Sequence, residues 1–188
     1  MKKALIALAT LSLFAAPTFA DEAKMLEEAR GLPAKMVPKL LEVLSTEINN
    51  GGYTGAITVC RDKAPAMAKG LSDQTGWAIR RVSLKNRNPK AVPDAWENAV
   101  LEDFDRRLAS GENPATLDKS EVVTVDGKKT FRYMKALPTQ DLCLHCHGAP
   151  DKVAPETQAK LKELYPDDKA IGYDLKQIRG AITAKKVF

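Results

Sequence analysis

Ser120-Glu121-Val122-Val123-Thr124-Val125-Asp126-Gly127-Lys128-Lys129-Thr130-Phe131-Arg132-Tyr133-Met134-Lys135-Ala136-Leu137 reads as a β-hairpin. Val123 and Val125 alternate with polar neighbours, and Phe131 and Tyr133 alternate on the return. Asp-Gly between two such runs is a favoured two-residue turn, because both central positions need a positive φ. An antiparallel sheet is therefore the β component of the fold.

Working outward, Ile178, Gly180, Ile182 and Ala184 alternate and predict a closing strand, and Glu156 to Leu164 predicts a helix before it. Upstream, Asp94 and Glu97 form a cap-and-return pair for a helix through Ala109, with Trp96, Val100, Phe104 and Leu108 on its inner face. Asn86 to Pro93 is a basic, proline-bearing loop. Gly76 to Leu84 reads as a strand: Trp77 and Ile79 alternate, then Val82 and Leu84 alternate one residue out of step, which a bulge would explain. Thr54 to Leu71 is a helix with Ile57, Cys60, Ala64, Ala68 and Leu71 on one face, interrupted at Pro65. Asp21 to Asn50 is helical, with Leu40, Val43 or Leu44, and Ile48 at helical spacing. Pro33 and Pro38 are expected to divide it, and Gly51-Gly52 to end it. The pattern predicts an α+β fold: a small antiparallel sheet with N-terminal and flanking helices.

Residues 1–20 read as a secretory signal peptide. Lys2 and Lys3 precede a short apolar run from Leu5 to Phe14, and Thr18-Phe19-Ala20 offers small residues for cleavage. That run is too short to span a bilayer. A single domain over residues 21–188, in the periplasm and without a membrane span, is the expectation. Lys2 and Lys3 supply two of the +5 formal charges, so residues 21–188 carry +3. So small an excess, with both signs interspersed, argues against a nucleic-acid binder.

Cys143-Leu144-His145-Cys146-His147 is a C-x-x-C-H segment, the attachment signature of haem c. Two thiols add across the two vinyl groups of haem, and the adjacent histidine supplies a nitrogen to the iron. One covalent haem is the expected cofactor, held by Cys143 and Cys146 with His147 as axial ligand. The rivals are a thioredoxin-like thiol pair, a zinc site completed by Cys60, and a plain disulfide. A thioredoxin pair opens a helix in a βαβ unit, which the hairpin and Pro138 do not provide. A zinc site needs four ligands, and Cys143, Cys146, His147 and Cys60 are four.

The second iron ligand is less legible. Both histidines of the chain lie in the motif, and His145 is tied between the attachment cysteines. Cys60, a methionine (Met25, Met36, Met67 or Met134) and an open position all remain. Three cysteines in an exported chain leave Cys60 without a partner, and Arg61 beside it favours the thiolate. Against that, a free cysteine is often only a small buried hydrophobe. Met67 follows Cys60 at about helical spacing and is the next candidate.

Three stretches carry a resemblance to a known family. They are Cys60-Arg61 continuing to Ala64-Pro65, then Arg81-Val82-Ser83-Leu84-Lys85 through Arg87-Asn88-Pro89 to Pro93-Asp94-Ala95-Trp96-Glu97, and finally Cys143 to Gly148. With a final strand bearing Gly180, they resemble the PAS-like single-haem c-type proteins once grouped as a domain of unknown function. Some of these stand alone, and others form the sensory part of bacterial signalling proteins. The resemblance covers the chain from about Thr54 onward. It implies a PAS-like sheet holding haem against one face and an axial pair of His147 and Cys60. The chain departs from the pattern at Ala91-Val92, where an asparagine is expected before the Pro93 turn. Of the basic residues Arg80, Arg81, Lys85, Arg87 and Lys90, one or two are candidates to pair with haem carboxylates.

Two functions of different class follow. One is a periplasmic mono-haem c-type cytochrome in electron transfer or redox sensing. The alternative is a gas or small-ligand haem sensor. Either needs a separate redox or signalling partner protein, which the sequence does not identify. An enzyme is not expected, because no distal acid/base constellation is visible.

Overall fold

The computed structural model describes residues 19–188, so the expected signal peptide lies outside it except for its last two residues. The elements run α1 (Phe19–Thr58), a π turn (Val59–Lys63), α2 (Ala64–Thr75), β1 (Ala78–Val82), a 3-10 turn (Pro89–Ala91), α3 (Ala95–Ala109), β2 (Asp118–Val125), β3 (Lys128–Pro138), α4 (Asp141–His147), a second 3-10 turn (Pro150–Lys152), α5 (Pro155–Leu164) and β4 (Ile178–Val187). Helices and one four-stranded antiparallel sheet make this an α+β fold, as the sequence predicts. Among the described residues no helix is long and apolar enough to cross a membrane.

The strand order is β1-β4-β3-β2. The hairpin forms as expected, with Val125 opposite Lys128 across the turn. Asp126 (φ 50°) and Gly127 (φ 73°) supply the two positive φ angles. β4 inserts between β1 and β3 and pairs with both.

Both faces of the sheet are covered. Ile79, Phe131, Tyr133, Ile182 and Ala184 pack against Met25, Ala29, Leu32 and Met36 of α1, together with Ala68 and Trp77. Val82, Met134, Ala136 and Ala181 pack against Val100, Leu101 and Phe104 of α3. Apolar residues of either parity are therefore buried. This explains the slipped alternation in β1 without a bulge: Ile79 and Val82 serve opposite faces, and the β1–β4 register is unbroken from Ala78 to Val82. Leu84, expected within the strand, is exposed beyond its end.

Pro33 and Pro38 do not divide α1, which is a second departure from expectation. Each proline removes one backbone donor. The stripe Met25, Ala29, Leu32, Met36, spaced by four, three and four, buries one face across the first of them and holds the helix together. The break comes at Gly52 (φ 66°, ψ −173°), as the glycine pair predicts.

On the far face α3 carries the predicted capping box. Glu97 N–H donates to Asp94 Oδ1, and Asp94 N–H donates to Glu97 Oε2. The buried Glu97 carboxylate also accepts from Arg80 and from Thr183 Oγ1 (2.9 Å), and pairs with Arg132 (3.3 Å). One carboxylate thus ties α3 to three strands.

Candidate functional site

Helix α4 explains why the motif works as a unit. Cys143, Cys146 and His147 stand at i, i+3 and i+4, which places them on one face. All three line a cavity of about 760 Å³, and so does Cys60. His145, out of step at i+2, is exposed and stacks on Tyr53 with ring centroids 4.2 Å apart and 19° between planes.

The cavity lies between α4, the end of the sheet and the second half of α1. Leu40, Leu41, Leu44 and Ile48 form an apolar roof, Tyr53, Ile57 and Cys60 continue it, and Leu137, Leu142 and Ile182 face them. Mainly apolar walls, a few placed polar groups and this volume describe a site for a large, largely apolar ligand.

The π turn places Cys60. Ala64 N–H bonds to Val59 O, one residue further back than in an α-helix. The extra residue lets α2 begin again with Pro65 in its first turn, where a missing donor costs nothing. Of the methionines, Met36 lines the cavity, Met25 and Met134 are core residues, and Met67 is absent from the cavity wall.

His147 is held as a neutral imidazole. Its Nδ1 lies 2.7 Å from Ala170 O and 3.2 Å from Arg179 Nε. These contacts require opposite tautomers. The shorter one decides, because a lone pair facing a carbonyl at 2.7 Å would be repulsive. Nδ1–H therefore donates to Ala170, and the Nε2 lone pair is left free. Burial holds the imidazole well below its usual range, and Arg179 and Arg87 push the same way.

Burial pushes the Cys146 thiol up to about 11, with Arg87 opposing and Cys60 and Cys143 adding to it. The cysteines are free thiols, and among the described residues no group of three or more His, Cys, Asp or Glu side chains is gathered to hold a metal ion. The all-antiparallel sheet supplies no βαβ unit for a thioredoxin-like pair, and the zinc alternative lacks its gathered ligands. Two thiols and an imidazole on one wall, with a third thiol across an apolar space, fit haem c.

The basic stretch divides by strand parity. Arg81 shares the cavity face, while Arg80 turns to Glu97 on the other side. Lys85 lies over the Tyr173 ring at 4.4 Å, and Lys90 is exposed. Arg87 lines the cavity but is committed to Asp168 (2.8 Å), Cys146 O (2.6 Å) and Ala170 O (3.2 Å). Asn88 accepts from Lys90 N–H and shapes the loop. Arg179 carries no sequence signal as a site residue. The register shift between Leu137 and Pro138 pairs them with Gly180 and Ile178, so Arg179 has no β3 partner, and its side chain turns into the site.

An antiparallel sheet enclosed by helices, with two thiols and a histidine on one helix facing an apolar cavity, defines the class, an α+β protein with a candidate cofactor pocket. Within it, the chain belongs to the Tll0287-like family, whose model matches residues 17–185. Among solved structures, the crystal structure of the cyanobacterial haem protein Tll0287 matches with a TM-score of 0.55 at 24% identity, covering 79% of this chain and 90% of that one. At that identity the likeness speaks to the fold. No curated protein matches the chain.

Proposed function

We propose that this chain is an exported, periplasmic mono-haem c-type protein that carries or reads electrons. Haem c would be held by thioether bonds from Cys143 and Cys146, with His147 and Cys60 as the residues that would ligate the iron. The observation that carries the reading is that these four side chains wall a single cavity of about 760 Å³, three from α4 and the fourth from the π turn. The haem of the cyanobacterial relative supports the cofactor class.

Haem supplies a one-electron iron couple whose potential its ligands and surroundings set. The chain's own residues do the rest. The neutral His147 offers Nε2. The Leu40, Leu41, Leu44 and Ile48 roof excludes water, and so lowers the local dielectric. Arg81, which lines the cavity without being tied to another residue in the way Arg87 is, is the candidate partner for a haem carboxylate. Thiolate ligation from Cys60 favours the ferric state and a low potential.

The π turn favours a second reading. Such turns are irregular and recur at functional sites. Release of Cys60 would open the iron to a gas or small ligand and make the chain a sensor acting through a separate partner protein. Carbon monoxide binding to the reduced protein tests this. No binding, with ligation unchanged on reduction, removes it.

The decisive experiment is an electron paramagnetic resonance spectrum of the ferric protein matured in a periplasm. The expected result is a low-spin signal of narrow anisotropy that is lost in Cys60→Ala. A high-spin signal would mean an open sixth position and overturn His147/Cys60 ligation. Absence of covalent haem in the purified wild type would overturn the reading as a whole.

A further inference from the structure

We infer that Arg87 and Asp168 are a positioning pair for His147, which sets the orientation and electron donation of its ring. This rests on the haem reading above. The two residues are 81 positions apart, and nothing in their local sequence joins them.

Their contacts close a circuit. Arg87 is buried, and its Nε–H donates to Asp168 Oδ2 at 2.8 Å. Its Nη2 donates to Cys146 O at 2.6 Å and to Ala170 O at 3.2 Å. Asp168 Oδ1 accepts from Ala170 N–H at 2.8 Å. Ala170 O is in turn the acceptor for His147 Nδ1–H at 2.7 Å. One guanidinium therefore holds the backbone of an attachment cysteine and, with its carboxylate partner, both polar groups of the residue that orients the neighbouring ring. Only a planar fork with several donors can do this. Hydrogen-bond partners behind a metal-ligating histidine fix its ring and tune its basicity.

The pair also sets the local charge balance. Arg87→Gln leaves a buried carboxylate without its cation. Asp168→Asn leaves the cation without its carboxylate. The two changes must move the haem potential in opposite directions if the pair acts on the iron through His147. A pair that only fastens the loop would act differently: either loss would loosen the site, admit water, and shift the potential the same way.

The test is a potentiometric titration and a ferric paramagnetic resonance spectrum of the matured haem protein, for wild type, Arg87→Gln, Asp168→Asn and Arg87→Lys. The expected result is a lower midpoint potential in Arg87→Gln and a higher one in Asp168→Asn, with altered g-values in both. Arg87→Lys keeps the charge, so its potential stays near wild type. Its g-values still move, because an ammonium cannot bridge the same acceptors. Shifts of the same sign, or g-values unchanged in the haem-loaded variants, would overturn the pair's role while leaving the haem reading intact. A wild type without haem would overturn both. If Arg87→Gln fails to mature, the near-isosteric Asp168→Asn together with Arg87→Lys still separates positioning from fastening: a raised potential in the first and a wild-type potential in the second support positioning, and any other pattern overturns it.

Discussion

Replacing Gly180 by alanine should cost about 2–5 kcal/mol of folding stability, from backbone strain and lost hydrogen bonds together. Gly180 has φ 148°, a region L side chains rarely adopt, and this contributes about 1–2 kcal/mol of strain. A Cβ there would lie 2.3 Å from Val82 O and 3.1 Å from Ser83 Cβ. Ordinary carbon–oxygen contact is roughly 3.3 Å, so β1 must retreat by about 1 Å. That retreat strikes the end of the β1–β4 ladder, where Val82 faces Ala181, and the Ser83 Oγ–H bond to Arg179 O at 2.9 Å. Losing two such bonds adds about 1–3 kcal/mol. Gly111→Ala is the control. Gly111 has φ 93° and nothing within 4 Å of the added carbon, so it should show the strain alone, about 1–2 kcal/mol. Urea denaturation followed by circular dichroism, on haem-loaded protein at one pH, reads both. Equal losses for the two variants would refute the close approach of β1 and β4.

Two further outcomes follow from the far face and from the α1–β2 contact made by Arg30 and Asp118. Glu97→Ala should destabilise by about 3–5 kcal/mol, because it leaves the buried Arg132 facing lost acceptors, and Glu97→Gln should cost less; chemical denaturation measures both, and a loss below about 1 kcal/mol in Glu97→Ala would contradict the hub. Burial would raise the Asp118 carboxyl, but its hydrogen bond and charge interaction with Arg30, aided by Tyr133 and Lys135, outweigh it and hold the group below its ordinary value. A carboxylate lowered on folding stabilises the protein above its unfolded pKa, roughly 3.9, and loses that contribution as pH falls through the folded value. Stability should therefore drop below about pH 4, and Asp118→Asn should flatten that drop in a pH series of denaturation midpoints.

What the sequence discloses is what local chemistry decides. The Asp126-Gly127 turn, the Asp94/Glu97 capping box and the spacing of Cys143, Cys146 and His147 depend on residues within four positions of each other, and all three appear in the structure. Decisions made between distant residues stay hidden. Pro33 predicts a break by its own chemistry, but packing against the sheet overrides it. Strand parity separates Arg80 from Arg81, and it cannot be assigned until β1 has a partner. The bulge expected in β1 belongs instead to the β3–β4 ladder, where it releases Arg179. Asp168 carries no signal in its neighbours; its role exists only because Arg87 and Ala170 arrive beside it.

The strand order has a consequence in time. β4, from Ile178 to Val187, is wedged between β1 and β3, so two ladders wait for the last strand to be delivered. Before it arrives, β1 has no neighbour, and the hairpin is a two-stranded ribbon of marginal stability. Cys143, Cys146 and His147 precede that strand in the chain, so the cavity wall they belong to is unfinished until it arrives. Completion of the sheet then brings Arg179 and Ile182 to the cavity wall opposite two thiols that stay half-buried.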